Sequence, residues 1–259
     1  MRRGAAVAGL IAMVCTTAAV AQRDPLATRG GWEVGLQAAG YEYDEPFFAT
    51  LEGERIGASG SYTFLGADRW HSRLEARYSY ARLDYTGSGT SHDEPDHLIE
   101  LRAIAGKDYR AGRIAWAPYV GVGYRYLYAD GRGYTSTGAI GYRRRSHYYY
   151  LPLGVTLRVP VGGGWVMAPQ VEYDALANGR QRTYLSDVGP GLGNATNRQS
   201  RGRGARGQFA FEGRRWTFSL WSHYWKIKDS EIQPVAPGLG VYEPANTTHE
   251  TGVEVRYRF

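Results

Sequence analysis

A few histidines and carboxylates are the residues of this sequence whose chemistry suits hydrolysis. An imidazole and a carboxylate within reach of one another can activate a water molecule by general base catalysis. The catalytic candidates are His223, His147, Asp84 and Asp174. They are far apart along the chain, so they form an active site only if the fold brings them to one cleft, and scattered positions indicate structural roles.

A serine beside one of these histidines offers a second route to hydrolysis. Ser222 precedes His223, and a serine nucleophile needs an imidazole to take its proton. Adjacent residues of a β-strand point to opposite faces, so these two side chains cannot pair with each other. A serine hydrolase of lipids therefore requires a partner from a neighbouring strand.

The densest group of possible metal ligands is His92-Asp93-Glu94-Pro95-Asp96-His97. Its spacing fits no standard metal-binding loop, and a solvated loop is the expected structure. The segment Gly189-Pro190-Gly191-Leu192-Gly193 lacks the Lys-Ser/Thr of a phosphate-binding loop, so it predicts flexibility. We expect no metal site and no cofactor.

Two groups of arginines suit phosphate recognition, because a guanidinium binds phosphate oxygens bidentately. The chain is basic, with a formal net charge of +6. Such groups predict contact with a phosphate-bearing partner. The candidates for this contact are Arg143, Arg144, Arg145, Arg198 and Arg201.

The beginning of the chain predicts export. Arg2 and Arg3 precede an apolar stretch over 5–14, and Ala19-Val20-Ala21 forms a small-x-small cleavage site. We therefore expect residues 1–21 to be a cleaved signal peptide and residues 22–259 to form one domain. Cleavage removes Cys15, the only cysteine, which excludes disulfides and thiolate metal sites in the mature chain.

The last ten residues alternate strictly between two kinds of side chain. Thr251, Val253, Val255, Tyr257 and Phe259 form one face, and Glu250, Gly252, Glu254, Arg256 and Arg258 form the other. This period of two predicts a strand with a lipid-facing side and a polar side toward a lumen. With its final phenylalanine, the segment resembles the terminal strand of Gram-negative outer-membrane proteins. The resemblance implies an integral outer-membrane location and recognition of this strand by the barrel-insertion machinery.

Similar patterns recur along the chain and predict an all-β fold, a closed antiparallel transmembrane β-barrel of about ten strands. Short periplasmic turns alternate with long outer loops, and both termini lie in the periplasm. The predicted strands cover 31–43, 54–65, 72–86, 97–107, 114–129, 146–159, 164–177, 203–213, 216–228 and 249–259. The longer connections are 44–53, 87–96, 130–145, 178–202 and 229–248. The count of ten is omptin-like, but no stretch matches the motifs of those proteases.

Aromatic residues distinguish this fold from a soluble secreted sandwich, because a sandwich has no reason to sort its tryptophans to one end. Each predicted odd-numbered strand begins within two residues of a tryptophan. These residues predict a periplasmic aromatic girdle at headgroup depth. The girdle comprises Trp32, Phe64, Trp70, Trp116, Trp165, Trp216 and Phe259. A second set of tyrosines predicts a girdle at the outer interface, comprising Tyr41, Tyr43, Tyr80, Tyr85, Tyr126, Tyr128 and Tyr148-Tyr149-Tyr150. At the outer leaflet the partner that we expect for the arginine groups described above is lipopolysaccharide, and in an exported membrane protein we expect no nucleic acid.

The other face of the strands predicts a lumen filled by charge. Arginines and carboxylates of a ten-stranded barrel face one another across a narrow space and neutralise each other. The predicted lumen charge network contains Arg73, Glu75, Arg77, Glu100, Arg102, Arg125, Arg158, Glu172, Arg206, Glu212, Glu254, Arg256 and Arg258. We expect a non-enzymatic barrel with a binding or structural role through its outer loops. The alternatives are an outer-membrane hydrolase that uses rim carboxylates and histidine, and a narrow channel for small solutes.

Overall fold

Ten long antiparallel strands form the fold in a computed structural model, which describes residues 24–236 and 238–259. The predicted signal peptide lies outside the described residues. We number the barrel strands in chain order as β1 Gly31–Glu45, β2 Ala49–Leu65, β3 Trp70–Thr86, β4 Thr90–Lys107, β5 Ile114–Tyr134, β6 Ile140–Gly162, β7 Trp165–Thr183, β8 Gly202–Glu212, β9 Trp216–Ile227 and β10 Asn246–Arg258.

Pairing of the first and last strands closes the sheet into a cylinder. In β1, Gln37 lies opposite Gly57 of β2 on one side and Glu254 of β10 on the other. Every consecutive pair of barrel strands is hydrogen-bonded, including β7 with β8. Closure leaves no unpaired edge, which is the condition for a sheet in lipid. The prediction of a closed antiparallel barrel with ten strands is confirmed.

The two ends of the barrel differ. The end that holds the start of β1 and the end of β10, called the turn end below, has the connections 66–69, 108–113, 163–164 and 213–215. The opposite end, called the loop end, has tight connections at 46–48, 87–89 and 135–139. Its two long connections, 184–201 and 228–245, carry a short strand Ala195–Arg198 and a hairpin of Gln233–Ala236 with Leu239–Val241. The helical part of the described chain is limited to single turns, and none is long and apolar enough to cross a membrane.

Strands continue further toward the loop end than the sequence predicts. Residues 90–96 belong to β4, and most of the segment 130–145 belongs to β5 and β6. These segments read as loops because they are polar and rich in glycine. Their backbones nevertheless pair with the neighbouring strand within the barrel wall, as Arg144 of β6 does with Ala129 of β5. Three of the predicted outer loops are therefore tight hairpins at the tips of extended strands.

Polarity of the two faces inverts partway up the wall. On β3, the outward residues Leu74 and Tyr78 are followed by Arg82 and Asp84, while the inward residues change from Arg77 to Ala81 and Leu83. The same change occurs on β1, where outward Leu36 gives way to Glu42. The apolar outer belt thus ends at a defined level. Above it the barrel resembles a soluble one, with apolar residues inside and charges outside.

Candidate functional site

Ion pairs fill the middle of the barrel. Four arginines alternate with four glutamates in one connected series, in the order Glu75, Arg102, Glu172, Arg206, Glu100, Arg77, Glu250 and Arg125. Asp174 adds a further acceptor, 2.7 Å from Nε of Arg206. A tyrosine hydroxyl also contributes to the network, since Tyr119 donates a hydrogen bond to Glu172 at 2.7 Å. Charges of opposite sign are interleaved, so the network is close to neutral and its members are held by charge-assisted hydrogen bonds.

One contact of this network spans the full width of the barrel. Nη2 of Arg125 on β5 lies 3.0 Å from Oε1 of Glu250 on β10, and these strands stand five positions apart in a ring of ten. Their side chains are only 2% and 1% exposed. Two groups from opposite walls can touch only where no open passage separates them. The bridge therefore divides the interior at this level, and the neighbouring pairs Arg206–Glu100 and Arg77–Glu100 occupy space beside it, so no single wide passage runs along the barrel axis here.

The predicted lumen residues all point into the barrel. Arg73 and Glu75 pair with each other at 2.7 Å, and Arg256 lies 3.1 Å from Glu254. Arg258 pairs with Glu33, a buried carboxylate that the prediction omitted. Arg158 and Glu212 approach to 3.5 Å near the turn end. The prediction missed Arg55 and Asp96 as members of the interior set. Strand parity places Asp174 and Glu250 on the lumen side, although neither is included in the predicted charge network.

The segment before β1 closes the turn end of the barrel. Leu26, which is 1% exposed, packs against Ala115 and Val166. The backbone N–H and the hydroxyl of Thr28 both donate to the carboxylate of Asp108, each at 2.7 Å. Nothing in the sequence pattern predicts this cap, because its residues belong to no alternating strand.

An apolar layer separates the ion pairs from the loop end. Tyr41, Leu51, Ala81 and Leu83 form a buried cluster just above the Arg55–Asp96 pair, whose atoms are 2.7 Å apart. This arrangement removes five residues from the predicted outer girdle, because Tyr41, Tyr43, Tyr85, Tyr148 and Tyr150 face inward. Tyr80, Tyr126, Tyr128 and Tyr149 face outward, and all four contact other outward aromatic rings. Their assignment to an outer interface stays a prediction.

Above the apolar layer lies a cavity of about 400 Å³, called the vestibule below. It opens among the strand tips and is closed on one side by the 228–245 connection. Four aromatic rings line it, and its ionisable groups are three glutamates and one arginine. These residues are Phe48, Tyr85, Tyr142 and Tyr242, with Glu45, Glu94, Glu243 and Arg144.

Arg144 already has an ion-pair partner within the vestibule. Its Nη1 lies 2.6 Å from Oε1 of Glu45, and its guanidinium lies over the ring of Tyr43. The same nitrogen is 3.8 Å from Oε1 of Glu243, an oxygen that is buried without a hydrogen-bond partner. Burial raises the pKa of Glu243 to about 8, because Arg144 compensates its charge only partly.

The predicted catalytic residues do not converge. Asp174 and His223 face the interior on either side of Arg206, Asp174 fully buried and His223 partly buried. His147 lies on the outer face, where its Nδ1 is 2.8 Å from the hydroxyl of Tyr124. Asp84 is exposed near the loop end, 3.1 Å from His92. The set of four candidates therefore forms no active site. In the described residues no group of three metal-ligating side chains is placed to hold an ion.

Ser222 does have an imidazole partner, but it is not His223. Its Oγ lies 3.0 Å from Nε2 of His249 on the neighbouring strand β10, and the hydroxyl of Thr251 donates to the same Oγ at 3.1 Å. All three side chains face outward near the upper edge of the apolar belt. Sequence reasoning missed this pair, because the register of β9 against β10 places the two residues on a diagonal.

Four of the five arginines predicted to contact lipopolysaccharide lie at the surface of the loop end. Arg143 pairs with Asp187 at 2.7 Å, which holds the pKa of that carboxyl below its usual value. Arg145 lies over the rings of Tyr128 and Tyr184. Arg198 and Arg201 are exposed. Arg144 must be removed from this set, because its strand parity turns it into the vestibule.

The seven aromatic residues predicted as a girdle are exposed, and all lie around the turn end. Their side chains range from 37% exposure for Trp165 to 77% for Phe259. Neighbouring rings contact tyrosines across the strands, as Trp216 does with Tyr257 at 5.0 Å between ring centroids. Their assignment to a periplasmic interface stays a prediction.

Comparison with solved structures finds several outer-membrane proteins. A crystal structure of the outer membrane protease OmpT from Escherichia coli is similar, with a TM-score of 0.52 and 9% identity over 91% of this chain and 100% of that chain. The β domain of the Bordetella autotransporter BrkA gives a TM-score of 0.45 and 11% identity, over 89% of this chain and 100% of that chain. The outer membrane protein OprG from Pseudomonas aeruginosa gives a TM-score of 0.41 and 10% identity, over 91% of this chain and 99% of that chain.

These likenesses concern the fold alone, since the sequences share so few residues. No curated protein matches the chain. The family model described as the outer membrane protein β-barrel domain matches residues 6–175, which is more than half of the sequence. Together with the closed barrel and its apolar belt, this match shows that the chain belongs to the outer membrane protein β-barrel domain family.

Proposed function

We propose that this protein is a non-enzymatic, non-conducting outer-membrane barrel that binds a ligand at the cell surface. In this proposal the loop end faces outward and both termini lie in the periplasm. The observation that supports it most is the Arg125–Glu250 contact between opposite walls, together with the cap at the turn end. Because the interior is blocked below the vestibule, a ligand that enters from the loop end has no continuous path through the barrel.

Conductance of the purified barrel in planar bilayers tests the blocked interior. We expect no large stable conductance, whereas a sixteen-stranded porin in the same bilayer supplies the positive control. Steady openings on the nanosiemens scale would overturn the proposal. The same recordings test the narrow-channel alternative, which predicts small but reproducible steps.

Cysteine labelling of intact cells tests the proposed orientation. Ser186→Cys lies in the long 184–201 connection at the loop end, and Arg214→Cys lies in a connection of the turn end. A membrane-impermeant maleimide should label the first variant and not the second until the outer membrane is disrupted. The reverse pattern would place the vestibule in the periplasm.

Surface arginines at the loop end supply a second contact in this proposal. Arg145, Arg198 and Arg201 lie at or beyond the upper edge of the apolar belt, where lipopolysaccharide phosphates are found in an outer leaflet. Replacing these three arginines with glutamine should weaken retention of lipopolysaccharide by the purified barrel. Equal retention by the variant and the unmodified protein would remove this part of the proposal.

One observation favours a second candidate function, a lipid hydrolase. Ser222 and His249 form a hydrogen-bonded pair on the outward face, at the depth where the ester groups of outer-leaflet lipids lie. In such a reaction Oγ of Ser222 attacks the ester carbonyl, its proton passes to His249 and then to the leaving alcohol, and water later releases the fatty acid from the serine. The polar contacts of His249 are the hydroxyls of Ser222 and Thr251, so within the described part of the chain no carboxylate orients the imidazole.

Incubation of the refolded barrel with phospholipid vesicles separates the two functions. The preferred proposal predicts no release of fatty acid. Turnover that is abolished by Ser222→Ala and by His249→Ala, and retained by the neighbouring outward variant Tyr224→Phe, would establish the hydrolase instead.

A further inference from the structure

The vestibule is an acidic cavity lined by aromatic rings. Its volume of about 400 Å³ falls in the range of small-molecule sites. Three glutamates and a single arginine line it, and Arg144 forms its close ion pair with only one of them, Glu45. The lining therefore carries an excess of carboxylates over cations.

Two of these carboxylates have no close cationic partner among the described residues. Glu94 accepts a hydrogen bond from the hydroxyl of Ser91. Glu243 is 5% exposed, and its Oε1 has no hydrogen-bond partner, since the nearest guanidinium nitrogen is 3.8 Å away. A buried carboxylate oxygen without a partner is costly. A donor supplied by a ligand would remove that cost.

Aromatic rings and acidic groups together select the charge and the size of the ligand. The faces of Tyr and Phe rings attract cations, and the rings of Phe48, Tyr85, Tyr142 and Tyr242 line the same space. A bare metal ion does not suit this cavity, because no three metal-ligating groups converge in the described residues. An anion meets only one arginine there, and that arginine already pairs with Glu45.

We propose that the vestibule binds a small organic cation, an aromatic or aliphatic amine, whose ammonium group is held by Glu243 and Glu94. The inference rests on the proposed surface-binding function and specifies its ligand class. The ammonium donates to the free Oε1 of Glu243, and its hydrocarbon part packs against the tyrosine rings. Arg144 keeps Glu45 occupied and so directs the ammonium to the other two carboxylates.

The pH dependence of this binding follows from the surroundings of Glu243. The groups that face it are Arg144 on β6, Glu45 on β1 and Gln181 on β7. Burial raises its pKa to about 8, so a large share of the protein carries a proton there at neutral pH. Cation binding favours the ionised form, and affinity should therefore increase from about pH 6 to about pH 9, with release of a proton.

Isothermal titration of the complete refolded barrel with phenethylamine tests the inference. The uncharged 2-phenylethanol and the anionic phenylacetate have a similar shape, and each should bind at least about tenfold more weakly than the amine. Glu243→Gln and Glu94→Gln should each weaken amine binding by about tenfold or more. Glu52→Gln is the matched control, because Glu52 faces outward on β2 and should leave the affinity unchanged.

Several outcomes would overturn the inference. They are equal binding of the alcohol and the amine, an affinity that neither glutamine variant changes, or no detectable binding at millimolar amine. The two glutamine variants are independent, so a folding defect of one leaves the other informative. A barrel that stays non-conducting but binds no amine refutes the ligand class alone, whereas a conducting barrel refutes the surface-binding function itself.

Discussion

Removing the carboxylate of Asp96 tests whether the interior is dry above the central ion pairs. Asp96 Oδ1 accepts from Nη2 of Arg55 at 2.7 Å, and the two side chains are 6% and 1% exposed. Asp96→Asn leaves a buried guanidinium without its counter-ion, which typically costs about 3–5 kcal/mol. Arg55 retains the ring of Tyr41 at 4.2 Å and a long contact to Ser79. We therefore expect a loss of about 3 kcal/mol, at the lower end of that range.

A double variant makes the test specific. Replacing both partners, as Arg55→Met with Asp96→Leu, removes the charges together and should leave stability within about 1 kcal/mol of the unmodified protein. Measured with the matching single variants Arg55→Met and Asp96→Leu, the coupling between the two sites should then be at least about 2 kcal/mol. Urea unfolding in phospholipid vesicles, followed by tryptophan fluorescence, measures all the variants.

A different result would refute the reasoning. A cost below about 1 kcal/mol for Asp96→Asn is the value for an exposed pair, and it would mean that water reaches this level of the interior. Additive effects of the two substitutions would mean the same. Either finding would also weaken the proposal of a blocked barrel.

Three further predictions use the same unfolding assay or hydrogen exchange. Val253→Arg places a charge on the outward face of β10, where Val253 is 57% exposed. This variant should lose about 2–4 kcal/mol of stability if the residue lies near the bilayer midplane. Glu254→Arg is on the inward face and should not show this depth-dependent cost. Glu243 takes up a proton on folding, because burial raises its pKa from 4.5 to about 8. Its contribution to stability is therefore present at low pH and lost as the pH rises through about 8. Glu243→Gln should remove this dependence of the unfolding free energy on pH, and an unchanged dependence would contradict the assignment. Leu26→Asp should detach the cap at the turn end and speed hydrogen exchange of the Thr28 amide, which now donates to Asp108, with little change in the unfolding midpoint of the barrel.

Much of the barrel can be predicted from the sequence, because alternation is a local property. The belt segments of β5, β6 and β10 each show an apolar outward face, and their positions agree with the structure to within a few residues. On β3 the alternation of outward apolar and inward polar residues ends after Tyr80, although the strand continues to Thr86. The reason is that the inward face becomes apolar where the outward face becomes charged, so a search for one fixed pattern loses the strand.

The contacts of the candidate sites depend on register and could not be predicted. The Ser222–His249 pair and the Arg125–Glu250 contact join strands whose offset is set by the complete ladder. The sequence predicts a surface position for Arg144 because the segment 130–145 reads as a long outer loop. Its strand parity, which decides between surface and interior, follows only once β6 is known to begin at Ile140.

The level at which the outer face changes polarity fixes how deeply the protein sits in its membrane. On β1 the apolar outward run extends from Trp32 to Gly40, and the next outward residue is Glu42. Eight steps of about 3.4 Å make roughly 27 Å of strand, or about 21 Å along the membrane normal at a tilt of about 40°. On β6 the apolar outward run is longer, from Tyr149 to Val161, and its twelve steps make roughly 41 Å of strand, or about 31 Å along the normal at the same tilt. The apolar belt is therefore taller beside β6 than beside β1, and the bilayer should be thinner on the β1 side of the barrel, where a thick one would cover Glu42 with acyl chains.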